Sequence, residues 1–305
     1  MTNPGVIPLQ EQNPLPSITI VVPCFNAAPF IESCLDSLRA QHYPALQVII
    51  ADGGSTDGTL ALLEKHRDLI TVLIPGPDRG QSHAINKGLE RATGTLFNWL
   101  NADDVLPPGA LSALARAYSE HPAASYIAGY MGIIDVKGNL SEINTPPKHL
   151  QGARISPHDL LSCLANLKTG PQIGALMRTD LVKSVNGTDE TLHYVMDVDL
   201  LLRIHAKAEA YALNELTIYY RRHPDAKTSK PNLQAAQERF RILSNLSQVY
   251  RAHPRWVKYS ATSAAHSYAA YVYTRNGWII RGRFHRTATS LMSAITRCLK
   301  LLIAA

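Results

Sequence analysis

Four short segments, ITIVV (18–22), QVIIA (47–51), ITVLI (70–74) and LFNWL (96–100), are rich in β-branched or other apolar residues and bounded by Pro, Gly or Asp. They read as buried strands. Around them, Phe30, Ile31, Cys34, Leu35 and Leu38 form one stripe at helical spacing, Ile85, Leu89 and Ala92 a second, and Leu111, Leu114, Ala115 and Tyr118 a third. Strands that alternate with helices must be joined by crossovers, which gives an α/β fold with a mostly parallel central sheet flanked by helices. Ligands of such sheets bind beyond the carboxyl ends of the strands, so the chemistry is expected in the loops that follow each strand.

Those loops are densely polar: PCFN (23–26), DGGSTDG (52–58), PGPDRGQ (75–81) and NADD (101–104). None carries GxGxxG or GKS/T, and the GxSxG elbow is absent, which excludes the common dinucleotide, P-loop and serine-hydrolase readings. Two neighbouring carboxylates, Asp103 and Asp104, each disfavour the other's ionisation. A hard cation between them and a phosphate removes that repulsion, since Mg²⁺ or Mn²⁺ takes a few protein oxygens and fills its shell from substrate. Asp52 is placed to accept from a base or ribose. Thr56 and Asp57 read as a helix cap, and Gly53, Gly54 and Gly58 as turn residues.

With 305 residues, 46% of them hydrophobic, the chain can bury a full core. Its four cysteines, Cys24, Cys34, Cys163 and Cys298, follow no zinc or disulfide spacing, which fits a reducing cytoplasm. Residues 1–16 carry four prolines and no signal-peptide pattern and read as a flexible leader. No run of 18 apolar residues offers a transmembrane helix.

The stretches ITIVVPCFNAAPFIESCLDSLRAQHYPALQVIIADGGSTDGT and DRGQSHAINKGLERATGTLFNWLNADDVLPPGAL resemble the nucleotide-sugar-binding half of a family 2 glycosyltransferase of the GT-A fold, a Rossmann-like architecture. They are most similar to the bacterial members that build surface polysaccharides. The resemblance spans about Ser17 to Leu111. It implies a nucleotide-sugar donor held by Pro23, Phe25, Asn26, Asp52 and Gly53, with Arg79 and Asn86 nearby, and a DxD-type site in which Asp103 and Asp104 bind Mn²⁺ or Mg²⁺. Many relatives have Asp where this chain has Asn101, which leaves Asn101 as a weaker ligand or a positioning residue at the donor.

In the second half, YVMDVDLLLRI (194–204) resembles the family's acceptor region, which makes Asp197 the catalytic base and Asp199 its alternate. A carboxylate suits the task of taking a proton from an attacking sugar hydroxyl. YYRRHPDAKTS (219–229) resembles a loop near the diphosphate, where Arg221, Arg222 or His223 would neutralise developing charge. The absence of a QxxRW motif and of membrane helices points to transfer of a single sugar.

The catalytic domain is read as 17–231, with a nucleotide-sugar half to 130 and an acceptor half from 131, followed by a helical extension over 232–305. That extension carries eleven Lys or Arg and one acid, Glu238. Leu291, Ile295, Cys298, Leu299 and Leu302 make an apolar stripe beside Arg297 and Lys300. This stretch reads either as a contact with an anionic membrane surface or as a helix packed on the domain. No nucleic-acid motif accompanies the basic residues.

The function expected is metal-dependent, inverting transfer of one sugar from a nucleoside-diphosphate donor, a uridine one, to a saccharide or lipid-linked saccharide, in the cytoplasm or at the inner membrane face. The rival readings are a non-catalytic scaffold that binds nucleotide sugar or glycan, and a sugar nucleotidyltransferase, which would need a Gly-rich basic loop after the first strand.

Overall fold

The computed structural model describes residues 15–145, 148–156, 159, 174–227, 229 and 233–245. The apolar stretch 291–302 and the Arg-rich stretch before it lie outside the described residues, as does the leader through residue 14.

The first half alternates as expected: β1 (Ile18–Cys24), α1 (Ile31–Arg39), β2 (Leu46–Asp52), α2 (Thr59–Lys65), β3 (Val72–Ile74), α3 (Gln81–Glu90), β4 (Leu96–Trp99) and α4 (Ala110–Glu120). These strands lie in the order β3-β2-β1-β4, all parallel. The third strand starts later than the apolar run suggests, because Val48 N–H donates to the Thr71 side-chain oxygen, at 3.2 Å, where the ladder would otherwise begin. Ile70 still packs in the core, 5% exposed.

The second half is mixed. β5 (Tyr126–Ile134), β6 (Leu140–Asn144), β7 (Arg154–Ile155), β8 (Ala175–Arg178) and β9 (Ala210–Arg221) continue the sheet. β8 pairs antiparallel with both β4 and β5, while β9 runs parallel to β5. The described helices here are α5 (Thr179–Ser184), α6 (Met196–His205) and α7 (Leu233–Ser244).

Successive strand residues face opposite sides, so the sheet builds two cores. Val21, Ile49, Phe97 and Trp99 meet Ile85 and Leu89 of α3 and Leu200, Leu201 and Ile204 of α6. Ile20, Val22, Ile50 and Leu96 meet Leu35 and Leu38 of α1 and Leu111 and Leu114 of α4. Burial on both faces leaves the carboxyl ends of β1 and β4 as the open edge of this layered structure. One contact there departs from the sequence pattern: Phe30 is the residue before α1 rather than part of its buried stripe, and its ring lies 4.6 Å from that of His223.

Candidate active site

A cleft of about 520 Å³ opens at that edge. Pro23 and Phe25 from the end of β1, Asn101 and Asp103 from the turn after β4, Asp197 of α6 and His223 beyond β9 all line it. Sequence positions 200 residues apart meet because Val105 and Tyr219 exchange two backbone hydrogen bonds, at 3.1 and 2.8 Å. That bridge lays the end of β9 beside the turn after β4, and His223, two residues past the strand, arrives at Asp103.

The adjacent carboxylates part company. Asp103, with its side chain 30% exposed, holds Oδ2 3.1 Å from His223 Nε2. Asp104 is fully buried: Oδ1 accepts from Arg221 N–H at 2.8 Å and Oδ2 from Asn101 Nδ2 at 3.0 Å. Burial, and then the charge of Asp103, push the Asp104 carboxyl well above the usual range. The two carboxylates expected to bind a cation are thus placed differently: Asp103 lines the cleft, and both oxygens of Asp104 support the turn. Asn101 has a positioning geometry, since its Oδ1 also accepts from Gln81 Nε2 at 2.8 Å.

Arg221 is not a cleft cation either. Its guanidinium donates to the carbonyls of Asp103, Asp135 and Val136 and to Ser33 Oγ, and lies over the Phe30 ring. His223 keeps its Nδ1 buried with no hydrogen-bond partner among the described residues.

Three residues expected at the donor brace loops. Asp52 is 1% exposed, with Oδ2 accepting from Gly54 and Ser55 N–H and Oδ1 from the Cys24 thiol. A short acid that can satisfy nearby backbone donors closes its own turn. Asn86 brackets Thr188, accepting from its N–H and hydroxyl and donating to its carbonyl. Arg79 pairs with Glu190 at 2.6 Å. Asn26 is partly engaged: its φ is 50°, and its Oδ1 accepts from Thr56 N–H. Asp57, read as a cap, accepts from Thr59 N–H at 3.1 Å and reaches across to Ala28 N–H at 3.0 Å.

The Phe25 ring stands 63% exposed. Beside it a Cβ added to Gly53 would lie 2.7 Å from Asp78 Oδ2, so the glycine is what lets that carboxylate approach the loop. Asp197 lines the cleft, whereas Asp199, two residues on, pairs with Arg203, which also donates to the Val185 and Gly187 carbonyls. The sequence reading missed Tyr194, Gln81 and Lys227 as wall residues; Lys227 Nζ lies 5.2 Å above the Tyr194 ring. The detectable signal was the position of Gln81, first in a helix that follows a glycine turn.

A divalent cation suits this cleft on the chemistry of its donors. Among the described residues no group of three His, Cys, Asp or Glu could hold a metal unaided. The Asp103 carboxylate leaves most of a coordination shell to phosphate and water, which is how Mg²⁺ sits in phosphate sites, and His223 Nε2, 3.1 Å from Oδ2, places an imidazole at the same point.

Known proteins place this architecture. The chain is 25% identical over 232 residues to a GalNAc(5)-diNAcBac-PP-undecaprenol beta-1,3-glucosyltransferase of Campylobacter jejuni, covering 75% of this chain and 71% of that one. Its fold matches S. aureus TarS 1-349 in complex with UDP-GlcNAc at a TM-score of 0.66 and 17% identity, over 94% of this chain and 81% of that chain. It spans 44% of a longer TarS chain. A mannosyltransferase, PcManGT from Pyrobaculum calidifontis, in complex with GDP-Man and Mn²⁺, matches at 0.55 and 18% identity, over 95% and 86%. The model described as Glycosyl transferase family 2 matches residues 19–185, more than half the chain, and the protein belongs to that family of glycosyltransferases.

Proposed function

We propose that the protein moves a single sugar from a nucleoside-diphosphate sugar, a uridine one, to a hydroxyl of a saccharide or lipid-linked saccharide, with inversion at the anomeric carbon. The observation that carries this reading is one cleft with Asp103 Oδ2 against His223 Nε2 on one side and Asp197 on another. It is supported by the UDP-GlcNAc and UDP complexes of TarS and by the undecaprenol-linked acceptor in the name of the Campylobacter relative.

Phe25 offers the base an exposed ring to stack on, beside the bare backbone of Gly53. Asp103 and His223 would hold Mn²⁺ or Mg²⁺, and a cation there would supply positive charge to the leaving diphosphate. Asp197 accepts the proton of the acceptor hydroxyl while that oxygen bonds to the anomeric carbon. The bond to the diphosphate breaks with its electron pair, and attack from the opposite face inverts the centre. Asn101 and Asp104 keep the Asp103 turn in place. No described helix is long and apolar enough to cross a membrane. We place the reaction in the cytoplasm, where a lipid-linked acceptor would present its sugar at the inner membrane face, in the assembly of surface polysaccharide.

Calorimetric titration of nucleoside diphosphates, with Mn²⁺ and then with chelator, tests the donor side in wild type and Asp103→Ala. One nucleotide is expected to bind with metal and to lose affinity with chelator and in the variant alike. Binding that ignores both would overturn the metal assignment.

A further inference from the structure

The C-terminal extension has a single acid against eleven basic residues, and that acid is not a solvated surface charge. Glu238 of α7 is 6% exposed. A carboxylate taken out of water must find donors. It finds them on the cleft wall: His193 N–H donates to Oε1 and Oε2 at 3.0 and 3.1 Å, and Tyr194 N–H to Oε2 at 2.8 Å. Gln234 Nε2, one turn earlier in the same helix, donates to Oε1 at 2.9 Å.

Two consecutive backbone N–H groups turned onto one carboxylate form an anion seat, and this one has a particular address. His193 and Tyr194 both line the cleft, and α6 starts at Met196, two residues on, with no side-chain cap at its N-terminus. Asp197 is the second residue of that helix. Around the seat, Arg241 donates to Thr191 Oγ1 at 2.9 Å and lies 3.7 Å from Asp189. Ile242, 7% exposed, joins the apolar cluster that contains Leu192, Val195 and Met196. The segment leading into α6 is thus held from outside the catalytic fold, by a helix of the extension.

We propose that Glu238 is a positioning residue that fixes the His193–Tyr194 wall and the entry of α6, so that the extension sets the placement of Asp197. The consequence for turnover rests on the reading of Asp197 as the base; the consequence for the wall does not. Lys227 Nζ lies 5.2 Å from the Tyr194 ring, and that contact would shift with the segment.

The test uses the full chain with Glu238→Ala, Glu238→Gln and Asp197→Asn. Three quantities are measured: amide hydrogen exchange across 189–199, UDP affinity with Mn²⁺ by calorimetry, and UDP release from UDP-GlcNAc. In Glu238→Ala, exchange over 190–197 is expected to rise while 20–26 and 99–104 stay protected. Turnover is expected to fall roughly tenfold or more, as sub-ångström misplacement of a reacting group does. UDP affinity is expected to stay within about twofold, the mark of an interaction outside donor binding. Glu238→Gln retains one acceptor oxygen and is expected to recover part of both losses; it carries the test should the Ala variant not fold. Unchanged exchange overturns the proposal, as does raised exchange with unchanged turnover, or a parallel fall in UDP affinity. If Asp197→Asn keeps full turnover, the base reading fails on its own, and the exchange result still decides whether Glu238 holds the wall.

Discussion

Arg221 grips the Asp103–Asp104 turn at two points: its N–H donates to Asp104 Oδ1 at 2.8 Å, and its Nε donates to the carbonyl of Asp103, one residue earlier. The pair welds the end of β9 to the turn after β4. The chain therefore puts two carboxylates side by side because one supports the backbone from which the other reaches into the cleft.

That division predicts opposite phenotypes for neighbouring substitutions. Asp104→Ala strands the Arg221 N–H and the Asn101 amide in a buried site and should cost about 2–4 kcal/mol of stability. Asp103→Ala removes a part-exposed carboxylate and should change stability by less than about 1 kcal/mol, while abolishing metal-dependent nucleotide binding. Denaturant unfolding and calorimetry on the two variants separate the roles. Equal stability losses would mean that the turn depends on both.

Asp197 and Asp199 make a second contrasting pair. Asp197→Asn is expected to fold normally, bind UDP as wild type does, and lose turnover by about 100-fold or more, the range for removing a general base. Asp199→Asn weakens the Arg203 pair but leaves Arg203 its Val185 and Gly187 carbonyls. Its cost should be about 1–2 kcal/mol of stability, with most of the turnover per folded molecule retained. The reverse pattern would exchange the two roles.

How far the sequence spoke depended on how local each determinant was. Strands β1 to β4 and helices α1, α3 and α4 were legible because their apolar residues repeat within one element. β9 was not read: its 12 residues, AYALNELTIYYR, are only intermittently buried and match neither period cleanly. At the site, Asp103 and Asp197 were singled out from their motifs, and both line the cleft. Asp52, Asn86 and Arg221 were expected near the ligand from their loop positions and from the resemblance; the same side chains also satisfy other groups, for Asp52 within its own loop and for the other two in distant segments. Asn86 bonds Thr188 and Arg221 bonds Asp104, 102 and 117 residues away. Glu238 stood out in the sequence as the tail's lone acid, yet nothing near it named His193 and Tyr194.

His205 gives stability a pH dependence. Its ring is buried, Nε2 lies 3.0 Å from the Ile155 carbonyl and so carries the proton, and Nδ1 has no hydrogen-bond partner among the described residues. Burial lowers its pKa below the ordinary 6.5. As pH falls through 6.5 the unfolded chain takes up a proton that the folded chain refuses, so stability is lost on the acid side. One such group contributes a slope of at most about 1.4 kcal/mol per pH unit. His205→Gln keeps a donor for the Ile155 carbonyl but cannot titrate, so its urea midpoints between pH 5 and 7 should fall less steeply than those of wild type. Parallel profiles would show that the ring gains its proton without cost.

Two glycines test the donor side against the core. A Cβ at Gly88 would lie 2.5 Å from both Val21 methyls, where α3 rests on β1 and neither can retreat. Gly88→Ala should therefore cost about 1–3 kcal/mol by overpacking, with nucleotide affinity per folded molecule unaltered. At Gly53 the added carbon meets the Asp78 carboxylate at 2.7 Å and the Phe25 ring at 3.4 Å. The Asp78 side chain can turn away at its free oxygen, although its Oδ1 is held by Gly80 N–H at 2.7 Å. Gly53→Ala should leave stability within about 0.5–1 kcal/mol. Displacing Asp78 and Phe25 together reshapes the rim on which the base stacks, so UDP affinity should drop several-fold, roughly 1 kcal/mol for a lost aromatic contact. An unchanged UDP affinity in this variant would move the base away from Phe25 and require another wall of the cleft to hold it.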